Sequence, residues 1–183
     1  LNRASIGRAW ILVALAATLS LAAWQQSRVA QPDPKSVSID LEHVLRGGIN
    51  RRGELVGLHH QPSAPESLKF EGKLCELWFL YTSPGGPDDV RTARVELRDP
   101  KSQRVLVEKF STLYPKAWSE KQIEAAIREA YADACDRRQV GSDGRWEGRT
   151  KKGVRIDGFM TGDGKAIATA FPVMVRQRDQ PRR

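Results

Sequence analysis

The segment opening at Ser119 fixes one element of this chain more tightly than any other stretch. Ser119-Glu120-Lys121-Gln122 has the form of a capping box, in which the serine hydroxyl and the glutamine side chain each satisfy a backbone N–H at the helix start. Glu120 also suits the positive end of the helix dipole. Ile123, Ala126, Ile127, Ala130, Tyr131 and Ala134 then recur at three- and four-residue steps, which places them on one apolar face. That stripe is core-facing, not a cofactor surface. Around it the sequence predicts strands: Lys73 to Tyr81 is rich in aromatic and apolar residues, and Val90 to Leu97 and Arg104 to Phe110 alternate apolar with polar. Pro84-Gly85-Gly86-Pro87 turns between the first two. Val154, Ile156 and Phe159 mark a further strand, which turns at Thr161-Gly162-Asp163-Gly164 and returns from Ala166 to Phe171. Upstream, Ser38 to Leu45 reads as a short helix ending at Gly47-Gly48, with His43 near its C-terminal end. An α+β domain with antiparallel sheets is the expected fold class.

The N-terminal part has a different character. Arg3 and Arg8 precede an uncharged apolar run from Ala9 to Trp24. Its length falls between the core of a signal peptide, about 7–15 residues, and a spanning helix of about 20, so both readings stand. Ser20-Leu21-Ala22 offers small residues for a signal peptidase, while Trp10 and Trp24 would suit the two interfaces of a membrane. Residues 1–30 are thus expected to be a signal peptide or membrane anchor, with the arginines cytoplasmic and the rest exported to the periplasm or medium, or tethered to the inner membrane outside the cytoplasm. No cysteine closely follows the run, which argues against lipid attachment. Residues 31–37, with Pro32-Asp33-Pro34, read as a linker. Residues 38–175 read as one folded domain, and 176–183 as a basic, disordered tail. Of the 183 residues, about 150 remain for folding, enough for one domain with a sizeable core. Leu1 in place of methionine fits an alternative initiation codon or an internal position in a longer toxin.

Cys75 and Cys135 both fall in the exported part, where they would form either one disulfide or two buried thiols. With no Cys-x-x-Cys, a structural zinc site is disfavoured.

All three histidines sit in two short stretches, Leu41-Glu42-His43 and Gly57-Leu58-His59-His60. Imidazole takes and gives protons near neutral pH, so a two-histidine acid–base site is the first functional hypothesis. The histidine stretches, with Gly47-Gly48 and Gly53, are followed by Phe110-Ser111-Thr112-Leu113-Tyr114-Pro115-Lys116-Ala117-Trp118-Ser119 before the helix. Gly153-Val154-Arg155-Ile156-Asp157-Gly158-Phe159-Met160 and Thr169-Ala170-Phe171-Pro172 come after it. In that order these residues resemble the bacterial EndoU domain, a group of endoribonucleases related to the coronavirus uridylate-specific enzyme and found at the C-terminal ends of many bacterial toxins. The resemblance runs from about Ser38 to Val173.

The resemblance implies an α+β fold with a ribonuclease-A-like catalytic core, here preceded by an N-terminal apolar helix. It also implies cleavage of RNA, at uridines, by attack of the ribose 2′-hydroxyl on the adjacent phosphate, leaving a 2′,3′-cyclic phosphate and a 5′-hydroxyl. By position His59 matches the general base and His43 the general acid. A one-residue shift of the loop would put His60 in place of His59, and His59 is preferred because it follows Gly57-Leu58. Lys109 fits the place of a charge-stabilising lysine in the viral relatives, with Ser111 and Thr112 as substrate contacts beside it. The family's Thr-x-Tyr-Pro reads Thr169-Ala170-Phe171-Pro172 here: Thr169 would contact substrate, and Phe171 keeps a stacking face for a base but lacks the hydroxyl. No small-molecule cofactor and no metal ligand set is implied, with manganese or calcium ions at most stimulating the reaction.

The formal charge of +8 agrees with a polyanionic substrate. Arg51, Arg52, Arg145, Arg149, Lys151 and Lys152 are candidate phosphate contacts, each of which could equally be a solvated face. Two other classes compete: a non-catalytic RNA- or protein-binding relative at the cell envelope, to which Phe171 lends weight, and a metal-dependent hydrolase using the His59-His60 doublet. The last is disfavoured because adjacent residues point to different sides of an extended chain. As a toxin, the protein would have an immunity protein as partner; RNA is the expected substrate, and the membrane a partner only through an uncleaved N-terminal segment.

Overall fold

The computed structural model describes residues 31–61, 67–83 and 89–174. The apolar N-terminal helix, the Pro84–Pro87 turn and the basic tail expected from the sequence lie outside the described residues. The described elements fall within one compact unit, Pro32–Arg183. In chain order they are β1 (Ser38–Ile39), α1 (Leu41–Arg46), β2 (Gly48–Ile49), β3 (Leu55–Val56), β4 (Ser67–Phe70), β5 (Lys73–Tyr81), β6 (Arg91–Arg98), β7 (Val105–Leu113), α2 (Glu120–Asp136), β8 (Arg145–Arg149), β9 (Arg155–Met160) and β10 (Ala166–Pro172). One sheet has the order β1-β10-β9-β8, another is the meander β4-β5-β6-β7, and β2-β3 is a small hairpin. All pairings are antiparallel except β1 with β10. The class is α+β, with two helices among the described residues.

Both halves of the capping box form: the Ser119 side chain accepts from the Gln122 N–H and the Gln122 side chain accepts from the Ser119 N–H. The whole predicted stripe of α2 is buried against Trp146, Ile156, Ile167 and Ala170 of the first sheet. Contact is close enough that a Cβ on Gly148 would stand 1.7 Å from the Ala130 carbonyl oxygen. Only glycine allows helix and strand to approach that far. A second core, made by Leu55, Leu58, Cys75, Leu77, Val95 and Leu97, lies between the meander and the loop that follows the small hairpin.

Two expectations need correction. Ser38 and Ile39 are not helical but pair in parallel with Ala166 and Ile167; the helix begins only after Asp40, whose carboxylate accepts from the His43 N–H and caps it. His43 is the third of its six residues and falls in its last turn, near the C-terminal end as expected. Strand β7 continues three residues past the expected Phe110, because Ser111 and Thr112 remain paired with Ala93 and Thr92. Of the two alternatives for the cysteines, the structure has two free thiols: Cys75 is buried in the second core, and Cys135 packs on the first. Among the described residues no helix is long and apolar enough to cross a membrane.

Candidate active site

The loop from Gly57 to His60 runs between the two cores and is fastened on both sides. The His59 N–H donates to the Val44 carbonyl of α1 at 2.9 Å, and the His59 carbonyl accepts from the Tyr114 N–H, just past β7, at 2.8 Å. Gly57 sits at φ +66°, where a Cβ would meet the His43 carbonyl oxygen at 1.9 Å. Backbone contact between the two histidine stretches thus requires glycine at this position. Leu58 takes a left-handed φ of 61° with its side chain fully buried in the second core, a strained arrangement that the packing around it holds in place.

Held this way, the His59 side chain is only 8 % exposed. Its Nδ1 lies 3.0 Å from the Thr112 carbonyl oxygen and 3.0 Å from Ser111 Oγ. A carbonyl can only accept, and the serine hydroxyl donates to the Leu58 carbonyl at 2.9 Å. Nδ1 must therefore carry the proton, which leaves the Nε2 lone pair open. Burial pushes the imidazole pKa from 6.5 down to about 3, helped by the charge of Lys109 and, more weakly, of His43, while the Thr112 carbonyl opposes the shift. The ring is a neutral base at rest. Phe171 stacks on it, with 5.2 Å between ring centroids and 29° between planes.

Lys109 and Ser111 alternate onto the same face of β7. The Lys109 ammonium donates to the Gly57 carbonyl at 2.6 Å, and burial lowers its pKa to about 8. Thr112 presents its carbonyl to His59, and because it follows Ser111 along the strand its side chain lies on the opposite face from the Ser111 hydroxyl. Thr169 lies two residues before Phe171 on β10, paired with Phe159. The doublet divides: the His60 ring faces the backbone of Lys116 and Trp118 and the carboxylate of Glu120, and its Nε2 is buried without a hydrogen-bond partner. Burial lowers the His60 pKa as well.

His59, Lys109, Ser111, the Thr112 carbonyl and Phe171 therefore converge, with His43 near enough for its charge to act on His59, while His60 faces the backbone of Lys116 and Trp118. Two contributors escaped the sequence reading. Asp40 sets where the helix bearing His43 starts, and an aspartate before Leu41-Glu42-His43 was a readable capping signal. The grip of the Thr112 carbonyl had no sequence signal. Among the described residues no group of three or more His, Cys, Asp or Glu is placed to hold a metal ion.

Residues 38–174, the span carrying both histidine stretches and β10, match the family model described as bacterial EndoU nuclease. The chain belongs to the bacterial EndoU nuclease family. A relative described as a toxin from Bacillus cereus is 32% identical over 133 residues, which covers 72% of this chain. The chain spans only 22% of that relative's length. No solved structure matches the chain. Within the EndoU domain the cluster draws on both ends of the matched span, from His43 to Phe171.

Proposed function

We propose that this EndoU domain cleaves RNA by 2′-hydroxyl attack. The observation that carries the reading is the seat of His59 Nδ1 against the Thr112 carbonyl, which assigns the ring proton to Nδ1 and leaves Nε2 open as a base, with the charges of Lys109 and His43 acting on the ring. In this mechanism Nε2 of His59 removes the 2′-hydroxyl proton, the 2′-oxygen bonds to phosphorus, and the bond to the 5′-oxygen breaks. His43 supplies a proton to that leaving oxygen. The products are a 2′,3′-cyclic phosphate and a 5′-hydroxyl. Lys109 lends positive charge to the phosphoryl oxygens as they become more negative. Its charge also depresses the basicity of His59 in the free protein, so an arriving phosphate, by offsetting that charge, raises the basicity of His59 when substrate is present. The cluster so used is that of a ribonuclease-A-like core.

Phe171 has one face against His59 and offers the other to a base. Ser111 Oγ already serves Leu58 and His59, which leaves Thr169 as the hydroxyl for hydrogen bonds to the edge of uracil. The toxin relative supports a toxic role, with an immunity protein as partner, for a domain of residues 38–175 preceded by an exporting or anchoring segment of residues 1–30 and a linker at 31–37.

The test is cleavage of a uridine-containing RNA oligonucleotide with chelator present. The wild-type protein should yield a cyclic-phosphate end. His43→Ala and His59→Ala should each slow cleavage by about 10²–10⁴-fold, while His60→Ala stays near wild type. Undiminished cleavage by both variants at unchanged stability would remove the two-histidine mechanism, and loss in His60→Ala alone would reassign the base.

A further inference from the structure

On the outer face of the meander, large apolar side chains stand open to solvent. Cys75, Leu77, Val95 and Leu97 turn inward to the second core, and Lys109 and Ser111 turn the same way toward the His59 loop. The residues that alternate with them point outward: Phe110 is 70% exposed and Trp78 42% exposed. Four strands about 4.8 Å apart, with eight residues rising about 3.4 Å each, give this face roughly 500 Å². Two such faces bury about 1,000 Å² together, the size at which specific pairing of proteins begins.

The charges of the face cancel. Lys69, Arg94 and Arg98 are matched by Glu76, Glu96 and Glu108, whereas the chain as a whole carries +8. Glu96 is buried between the two arginines, which hold it at 2.8 and 2.5 Å. Arg98 also lies 5.0 Å from the centre of the Trp78 ring, and the indole N–H donates to Glu76 at 3.2 Å, so the aromatic is set in place before any partner arrives. With its cations committed, this face has little to offer a polyanion, and an acidic protein is drawn instead to the basic surfaces. Here copies of a basic chain repel one another least.

The pattern also matches itself. Pairing sets Trp78, Glu96 and Glu108 in one row and Leu80, Arg94 and Phe110 in the next. A line from Trp78 to Phe110 crosses β6 between those rows, with Arg94 on one side and Glu108 on the other. A half-turn of a second copy about that line lays Phe110 on the partner's Phe110, Trp78 on the partner's Trp78, and each Arg94 toward the partner's Glu108, which is the self-complementarity that a two-fold contact needs. Both charged side chains are within reach of a partner, at 42% and 52% exposure. We infer that the chain pairs with a second copy of itself through this face, with Phe110 and Trp78 at the centre and an Arg94–Glu108 ion pair on either side. Lys109 and Ser111 point away from the contact, so each His59 cluster stays open.

Sedimentation of the full chain at increasing concentration should show monomer passing to dimer; a monomer throughout would overturn the inference. Phe110→Asp, with an unchanged far-ultraviolet dichroism spectrum, should raise the dimer dissociation constant at least about 30-fold, the effect of losing one anchoring side chain. Glu108→Arg sets like charges together on both sides of the axis and should weaken pairing as well. Association that neither substitution weakens would overturn the inference too, by placing the contact elsewhere, such as on the apolar N-terminal run. A short bismaleimide tests the axis: Phe110→Cys should link into dimers above the wild-type background, while Val105→Cys, at the other end of β7 and off the axis, should not. Equal linking at both positions would overturn the two-fold arrangement.

Discussion

His59 makes a quantitative statement about acid stability. Its pKa is about 3 in the folded protein against 6.5 ordinarily, so between those values the unfolded chain binds a proton that the folded chain refuses. Linkage then requires stability to rise with pH across the window: the contribution is fully present above about 6.5 and is lost progressively as pH falls toward about 3. The loss runs at about 1.4 kcal/mol per pH unit. It reaches about 2 kcal/mol at pH 5 and nears 5 kcal/mol at the acid end, a large share of the 5–15 kcal/mol typical of a whole domain. His59→Asn removes the titration while an amide still donates toward the Thr112 carbonyl. Urea unfolding of both proteins from pH 7.5 down to pH 4 should give a wild-type curve that falls more steeply by about that slope below pH 6.5, the other titrating groups being shared. Parallel curves would refute the argument, since they would mean that the imidazole takes its proton equally well folded and unfolded.

Two further outcomes follow from the geometry. Gly57→Ala forces a Cβ to within 1.9 Å of the His43 carbonyl and should cost at least about 2 kcal/mol and abolish cleavage, whereas Gly53→Ala, at φ +78° with nothing within 4 Å, should cost about 1 kcal/mol; urea unfolding and RNA cleavage of the pair check both. With Cys75 and Cys135 free and in separate cores, reductant should leave the thermal midpoint unchanged, and a thiol reagent should label half-buried Cys135 in the native protein but Cys75 only on unfolding.

Local chemistry was the readable part of this fold. The capping box and stripe of α2 are set by residues within a few positions of one another, so Ser119 to Ala134 fold as their spacing says. Strand β8 was missed because only Trp146 and Gly148 of Arg145–Arg149 face inward, and a glycine adds nothing to a hydrophobic alternation. Ser38 and Ile39 were misread because their strand exists only through parallel pairing with β10, more than a hundred residues away. The site divides the same way. Its histidines stood out by residue type and by order along the chain, but no pattern could tell that Ser111 would turn toward Leu58 and His59, or that a ring expected to meet a nucleotide base would also lie flat on an imidazole.

The His59 loop takes one backbone bond from α1 and another from the residue just past β7, and its ring is covered by a residue of the last strand. No fragment shorter than the span from His43 to Phe171 carries the whole arrangement. A ribosome that has delivered everything through β9 has produced both histidines, the lysine and the serine, yet the covering ring is still to come. The cluster is therefore complete only once β10 is in place, so that synthesis order itself delays its assembly until the last of the described strands has been made.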